Sequence, residues 1–358
     1  MQISIHAQDQ ALRRPKPDDE SHLVFGKIFS DHMFVMDFLE GKGWHDARIV
    51  PHGRFEIEPV AMVLHYGQGI FEGLKAYRRP NGKICLFRPD RNWERFNDSA
   101  YRMCMPRIES EFQMQAIDEL LKLDRDWVPH GAGSSLYIRP AMIATEPHLG
   151  VRASREYVYF IVTGPVAAYY SEGFNPVKIY VSDEHARSVR GGLGEAKTMS
   201  NYAASLFASE MAKKKGFTQV LWLDGAERRY VEEVGTSNIF FRIGDELVTP
   251  ALTGSILQGV TRDSVIRLAE HRGITCMQRA ISIDEVIDAV RSGDMKEMFA
   301  TGTAAVISPV GEICYKRRRY TVGDGGVGDY SRGLYDEITG IQYGGRKDIF
   351  GWIKELDI

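Results

Sequence analysis

Lys197 lies in the stretch Gly194-Glu-Ala-Lys-Thr-Met-Ser-Asn-Tyr202, behind Gly191 and Gly192 and ahead of an apolar-striped segment from Asn201 to Gly216. Lysine is almost always a solvated surface charge. A desolvated lysine loses its proton readily, and the neutral amine can condense with an aldehyde. Two further patterns follow it. The stretch Arg229-Tyr-Val-Glu-Glu-Val-Gly-Thr-Ser-Asn-Ile-Phe-Phe241 carries adjacent carboxylates, Glu232 and Glu233. On a strand they point to opposite faces, so only one can serve a given ligand. The stretch Thr253-Gly-Ser-Ile-Leu-Gln-Gly-Val-Thr-Arg-Asp263 is a glycine-bearing loop that runs into an amphipathic pattern ending near His271. It places the backbone N–H groups of Val260 and Thr261 at a helix N-terminus, where phosphate binds readily.

An amine, an acid and a phosphate cradle are the three supports that pyridoxal phosphate needs. The amine holds its aldehyde, and the acid keeps the pyridine nitrogen protonated so that the ring withdraws electrons.

With these residues in view, the chain resembles the branched-chain amino-acid aminotransferases, a fold-type IV family of pyridoxal-phosphate enzymes. The lysine block matches at Lys197 with Asn201 and Tyr202, the acid block Glu-x-Gly-x-x-Asn at Glu233, Gly235 and Asn238, and the phosphate loop at Gly254 to Arg262. Upstream, His65-Tyr-Gly-Gln-Gly-Ile-Phe-Glu-Gly-Leu-Lys-Ala76 and Leu86-Phe-Arg-Pro89 are similar to its N-terminal blocks, as are Tyr137-Ile-Arg-Pro140, Thr145-Glu-Pro147 and Gly302-Thr-Ala304. Each block is weak alone; their joint order and spacing over nearly the whole chain are specific.

The resemblance implies a division of roles. Lys197 is the catalytic residue and tether, Glu233 rather than Glu232 faces the pyridine nitrogen, and Tyr202 bonds the coenzyme's phenolic oxygen. Arg88, the loop residues Leu257, Gly259, Val260 and Thr261, and the Thr303 hydroxyl hold the phosphate. Thr236 lies near the ring. Phe25, Tyr66, Phe71, Tyr137 and Tyr169 form an apolar substrate wall. The turn at Thr303 and Ala304 presents backbone N–H groups to the α-carboxylate, a task suited to small side chains and tight backbone. Arg139, two residues after Tyr137 and so on the same strand face, reaches the side-chain carboxylate of glutamate. The implied reaction is ping-pong transfer of the amino group from L-leucine, L-isoleucine or L-valine to 2-oxoglutarate by a homodimer. One methylene in such a pocket is worth only about 1–3 kcal/mol, so all three amino acids should be accepted. D-amino-acid aminotransferases and aminodeoxychorismate-lyase-like enzymes share the fold. Tyr137-x-Arg139 and the long segment before Tyr66 argue against them. A non-catalytic pyridoxal-phosphate carrier would have no need of Lys197, Glu233 and the Gly302-Thr-Ala304 block together.

These residues need strands and helices to position them. The resemblance implies a two-domain α+β or α/β fold of the D-amino-acid-aminotransferase type: a smaller N-terminal domain over 1–168, a linker over 169–177, and a larger C-terminal pseudo-barrel domain over 178–358 that carries the coenzyme lysine. Alternation and turn residues predict a strand over Val24–Phe38, a turn at Glu40–Gly43 into a second strand through Val50, and strands over Ser135–Ala144 and Glu156–Thr163. Helical spacing covers Arg91–Met103, Phe112–Trp127 and Asn201–Lys215, the last closed by Gly216. Further strands are expected over Val177–Ser182, Gln219–Leu223, Arg229–Val234, Ile239–Ile243 and Glu246–Val248.

Composition adds exclusions. The 358 residues carry a net charge of -3, with 44% hydrophobic and 26% charged residues. That is an ordinary globular composition, and the charge argues against a nucleic-acid partner. The run Lys316-Arg-Arg-Arg319 is short and fits a solvated edge. Cys85, Cys104, Cys276 and Cys314 have no metal-ligand spacing and are expected to be reduced thiols, with no metal bound. Ala305 and Ser308 stand where some mitochondrial relatives carry a redox Cys-x-x-Cys, so no such switch is expected. Residues 1–20 have no apolar core, and the longest apolar stretch, Val158–Tyr170, is too short to span a bilayer. A cytoplasmic location without membrane contact is the expectation.

Overall fold

The computed structural model describes residues 1–20, 23–167 and 174–358. Tyr169 and the first part of the expected linker, 169–173, lie outside the described residues. Two compact units form: residues Met1–Ser171, Ala196–Ser200 and Gly340–Ile358 make the first, and Glu172–Glu195 with Asn201–Thr339 the second.

In chain order the first stretch gives β1 (Ser4–Ile5), β2 (His32–Leu39), β3 (Gly43–Pro51), α1 (Met62–Tyr66), β4 (Gly69–Phe71), β5 (Leu74–Arg78) and β6 (Ile84–Phe87). Next come α2 (Pro89–Arg102), α3 (Ser110–Leu123), β7 (Ser135–Ala144) and β8 (Glu156–Val166). The second stretch gives β9 (Val177–Ser182), α4 (Met199–Lys214), β10 (Gln219–Leu223), β11 (Val231–Val234), β12 (Asn238–Ile243) and β13 (Glu246–Thr249). It continues with α5 (Val260–His271), β14 (Cys276–Gln278), α6 (Ile283–Ser292), β15 (Met295–Gly302), β16 (Val306–Tyr315), β17 (Arg318–Thr321) and α7 (Asp329–Tyr343); β18 (Ile353–Glu355) ends the chain.

The first unit is a sheet in the order β1-β3-β2-β8-β7-β5-β6-β18, with β4 added on β7. Strand alternation divides its faces. On β7, Leu136 and Ile138 are buried in the core while Tyr137 and Arg139 lie on the other face, half-buried. The core face packs against α2 and α3 through Trp93, Phe96, Ala100, Ile117 and Leu120. Pro89 starts α2 at its first position, where a missing N–H costs nothing.

The second unit is built on a nine-stranded sheet in the order β11-β10-β9-β16-β15-β12-β13-β14, with β17 on β16. Its two ends meet: Tyr230, just before β11, bridges Ser282, just after β14, and Val231 N–H donates to Ile281 O at 2.9 Å. This closure curls the sheet into the expected pseudo-barrel, and the molecule is of mixed α+β class. Helix α4 ends on Lys213 and Lys214, whose charges suit a helix C-terminus, and Gly216 takes the left-handed conformation that stops it (φ 82).

Three differences from the sequence expectations have local causes. The strand expected over Val24–Phe38 begins only at His32, because a turn closes at Gly26 (φ 71) with Lys27 N–H bonded to Val24 O. The strand expected from Arg229 begins at Val231, because the N–H groups of Arg229 and Tyr230 are taken by the Asp224 carboxylate at 2.9 and 2.7 Å. The third concerns chain tracing. The sequence predicts 178–358 as one domain with the lysine in it, but Ala196–Ser200 and the C-terminal Gly340–Ile358 belong to the first unit. Thr198 bridges Ile70 of β4, and β18 pairs with β6, so backbone hydrogen bonding draws both pieces back to the first sheet.

Among the described residues no helix is long and apolar enough to cross a membrane, and no cluster of His, Cys, Asp or Glu could hold a metal ion. The four cysteines are free thiols, with Cys85, Cys276 and Cys314 buried.

Candidate active site

In the first unit, Lys197 is seated by main-chain hydrogen bonds. Its N–H donates to the Ser99 hydroxyl at 2.9 Å, and its carbonyl accepts from Phe71 N–H at 3.0 Å. Thr198 Oγ1 adds a bond to Gly69 O at 2.9 Å. The side chain then extends, half-buried, to bring Nζ 5.0 Å from the centroid of the Phe71 ring.

The same ring carries a second cation. The Arg139 guanidinium carbon lies 4.7 Å from the Phe71 centroid and 5.3 Å from that of Tyr137, and Arg139 Nη2 donates to the Tyr137 hydroxyl at 2.9 Å. Phe25 packs edge-on against Tyr137 at 4.8 Å. Gly73 makes room for this arrangement, since a Cβ there would sit 2.1 Å from the Tyr137 hydroxyl. Arg139 Nε is buried without a hydrogen-bond partner. A buried donor left unmet costs free energy until something accepts from it. The structure thus brings together Lys197, Phe71, Arg139, Tyr137 and Phe25. Tyr66, at the end of α1, stands apart from these side chains in its bonding: its hydroxyl donates to Leu149 O. Arg88 is buried at the start of α2 in a left-handed conformation (φ 50), its guanidinium 5.1 Å from the Trp352 ring centroid. A bulky residue held there carries backbone strain of a kind often found at functional positions.

Sequence reasoning passed over the carboxylate beneath this group. Glu72 follows Phe71 and is fully buried. It accepts from Arg95 Nε at 2.7 Å and Nη2 at 2.9 Å, and from Asn92 Nδ2 at 2.8 Å. Burial alone would raise its pKa, but Arg95, Lys197 and Asn92 together hold it below the ordinary carboxylate value. Lys75 was also missed. It is buried opposite Tyr137 on β5, and desolvation brings its ammonium down to about 8. The Glu and Lys of Phe71-Glu-Gly-Leu-Lys75 break the apolar run and were the available signal. Arg95→Met should lower the unfolding free energy by about 3–5 kcal/mol, because it leaves a buried carboxylate without its cation. Urea unfolding checks this; a loss near about 1 kcal/mol, the size of one neutral hydrogen bond, would mean that Glu72 simply takes up a proton.

In the second unit the acid lies on β11. Glu233 is 2% exposed and ion-paired with Arg187, itself buried. Asn238 Nδ2 lies 3.4 Å from Glu233 Oε1 and donates to Leu257 O at 2.9 Å, which links the acid to the loop. Glu232 is also buried but faces elsewhere, accepting from the Ser255 hydroxyl. The two carboxylates take different partners, as opposite strand faces require. Burial lowers the Arg187 pKa, opposed by the fields of Tyr202 and Glu232. Arg187 was not foreseen; ten residues upstream of the lysine, it belongs to no block recognised in the sequence.

The loop ends at Gly259, the N-cap residue of α5, in extended backbone. Val260 and Thr261 open the helix and are nearly buried. Gly259 has no space for a side chain, since a Cβ would meet Asn238 Oδ1 at 2.0 Å. Gly194 is equally tight: a Cβ would sit 2.1 Å from Ser255 O. Thr303 and Ala304 form the half-exposed turn between the paired residues Gly302 and Val306, and Thr236 is exposed in the turn after Gly235 (φ 56). An amine, a buried carboxylate paired with an arginine, and a helix that opens from a glycine-bearing loop are the donor and acceptor set that pyridoxal phosphate requires.

The pattern of the family described as amino-transferase class IV matches residues 69–313. The chain belongs to that family and has the fold-type IV architecture, and its cofactor is pyridoxal 5'-phosphate. It is 53% identical over 353 residues to Branched-chain-amino-acid transaminase 1 of Bacillus subtilis (strain 168), covering 98% of this chain and 99% of that protein. It is 51% identical to Branched-chain-amino-acid aminotransferase 2 of the same organism, covering 99% and 97%. Among solved structures, the T.th. branched-chain amino acid aminotransferase with pyridoxamine 5'-phosphate superposes with a TM-score of 0.73 at 27% identity, over 89% of this chain and 97% of that one.

Proposed function

We propose that this protein transfers the amino group of L-leucine, L-isoleucine and L-valine to 2-oxoglutarate, giving the branched-chain 2-oxo acids and L-glutamate by a ping-pong sequence. Pyridoxal 5'-phosphate supplies the carbonyl that accepts the amino group and the ring that withdraws electrons from the α-carbon. Lys197 would tether the coenzyme, and its Nζ would move the proton at the α-carbon. Glu233, paired with Arg187, would serve the pyridine nitrogen, and Tyr202 would hold the phenolic oxygen, with Thr236 close to the ring. Arg88, the Thr303 hydroxyl and the Leu257–Thr261 loop hold the phosphate. The Thr303–Ala304 turn takes the α-carboxylate. Phe25, Phe71 and Tyr137 line the apolar wall, to which the family resemblance also assigns Tyr66 and Tyr169. The protein acts in the cytoplasm as a homodimer, which light scattering on the purified protein tests.

The observation that carries this reading is the sharing of one ring, Phe71, by the Lys197 amine and the Arg139 guanidinium. That arrangement supports reading Lys197 as the proton carrier and Arg139 as the carboxylate-binding cation of an otherwise apolar wall, which a site alternating between leucine and glutamate needs. Turnover of L-leucine with 2-oxoglutarate tests it directly; turnover of D-alanine in its place, with L-leucine inert, would overturn it.

Arg139 should separate the two half-reactions. Arg139→Ala leaves glutamate's side-chain carboxylate against an apolar wall, and losing such a pair costs on the order of 2–5 kcal/mol. Leucine loses no charge contact. Single-turnover rates measured with each amino acid should therefore fall steeply for glutamate and little for leucine. Losses of equal size would make Arg139 a structural residue.

A further inference from the structure

The phosphate loop is fastened from behind by the carboxylate that the coenzyme does not use. Ser255, at the centre of the loop, is 1% exposed. Its hydroxyl donates to Glu232 Oε1, and Thr253 Oγ1, 3.2 Å away, donates to it in turn. Ser255 O lies 3.4 Å from Arg187 Nη2, the arginine that pairs with Glu233. Gly194 packs against that carbonyl with no room for a side chain. The loop has a second anchor at Leu257 O, held by Asn238. Beyond Ser255 the Glu232 side of β11 opens on a cavity of about 480 Å³, lined also by Arg190, Asp224, Tyr230 and Pro250. Burial raises the Glu232 carboxyl above its ordinary value, opposed by the Ser255 hydrogen bond and the field of Arg187.

We propose that Glu232 is a positioning residue for the coenzyme phosphate: through Ser255 it fixes the loop that delivers the backbone N–H groups of Val260 and Thr261. The adjacent carboxylates of β11 then serve opposite ends of one coenzyme, Glu233 the ring nitrogen directly and Glu232 the phosphate through the loop. A cradle of backbone N–H groups binds an anion only as well as its geometry is fixed in advance. The Ser255 hydroxyl, bonded on both sides, removes a rotation that the loop would otherwise retain. This inference rests on the reading that the loop before α5 holds the phosphate.

The test compares pyridoxal phosphate with pyridoxal, which lacks the phosphate, as ligands of the coenzyme-free protein followed by absorbance. Glu232→Ala and Ser255→Ala should each weaken pyridoxal phosphate about tenfold, the size of one hydrogen bond, with pyridoxal unchanged. The double variant should be no worse than either single one, since both remove the same contact. Glu232→Gln keeps an oxygen that accepts from Ser255 and should stay within about twofold of wild type. Equal loss for both ligands in the alanine variants, or no loss, overturns the proposal, as does a glutamine variant as weak as alanine. Val260→Pro examines the loop itself. It deletes one N–H at the first helical position, where proline is tolerated, and Gly259 before it already has the extended backbone that proline prefers (φ -71, ψ 133). If Val260→Pro leaves the preference for the phosphorylated ligand intact, the phosphate does not sit on this loop. If Val260→Pro abolishes the preference while Glu232→Ala does not, the loop reading stands and the role of Glu232 fails.

Discussion

Lys197→Ala should bind pyridoxal phosphate yet lose transamination almost completely, because one substitution removes both the covalent tether and the proton carrier. Proton transfer by a positioned side chain alone is worth about 10²–10⁴-fold in rate. The contacts that seat Lys197, its N–H to Ser99 and its carbonyl from Phe71, are main-chain and survive the change. The variant should therefore unfold at nearly the wild-type temperature, so a loss of activity reports chemistry and not collapse. Borohydride treatment of the wild-type protein should fix the coenzyme on the peptide containing Lys197. Label on another lysine, or a variant that keeps turnover, would remove the central assignment.

The parts of this molecule that were legible in the sequence are those set by local rules. Strands β7, β9 and β10 lie where alternation and bounding turn residues put them, and α4 stops at Gly216 because only a left-handed residue ends it there. The acid pair on β11 was legible for the same reason: a two-residue period sends neighbours to opposite faces, and Glu232 and Glu233 do take separate partners. What was not legible depends on contacts between distant parts of the chain. Nothing local in Ala196–Ser200 or in Ile353–Glu355 announces that they pair with β4 and β6. The ionic partners were equally hidden. Nothing in the local sequence marks Arg95 and Arg187 as the partners of Glu72 and Glu233. A buried carboxylate demands a cation, but spacing does not say which of the chain's basic residues supplies it.

The Arg187–Glu233 pair sharpens the second large prediction. Glu233→Gln should cut turnover strongly, because a neutral amide cannot hold the pyridine nitrogen protonated and the ring then withdraws electrons poorly. Losing one member of a buried hydrogen-bonded charge pair costs about 2–5 kcal/mol, or roughly 30- to 5,000-fold if all of it falls on the transition state. Some of it will not, since the substitution also leaves Arg187 buried without its carboxylate. Two measurements separate the contributions. The melting temperature of the coenzyme-free protein reads the stranded arginine, and the single-turnover rate with leucine, at saturating coenzyme, reads the lost charge at the ring. Glu233→Asp, which keeps the charge on a shorter arm, should recover part of the rate. Glu232→Gln should leave that rate close to wild type, because its amide oxygen still accepts from Ser255 on the far face of the strand. Equal damage from Glu232→Gln and Glu233→Gln would mean that the wrong carboxylate has been placed beneath the ring.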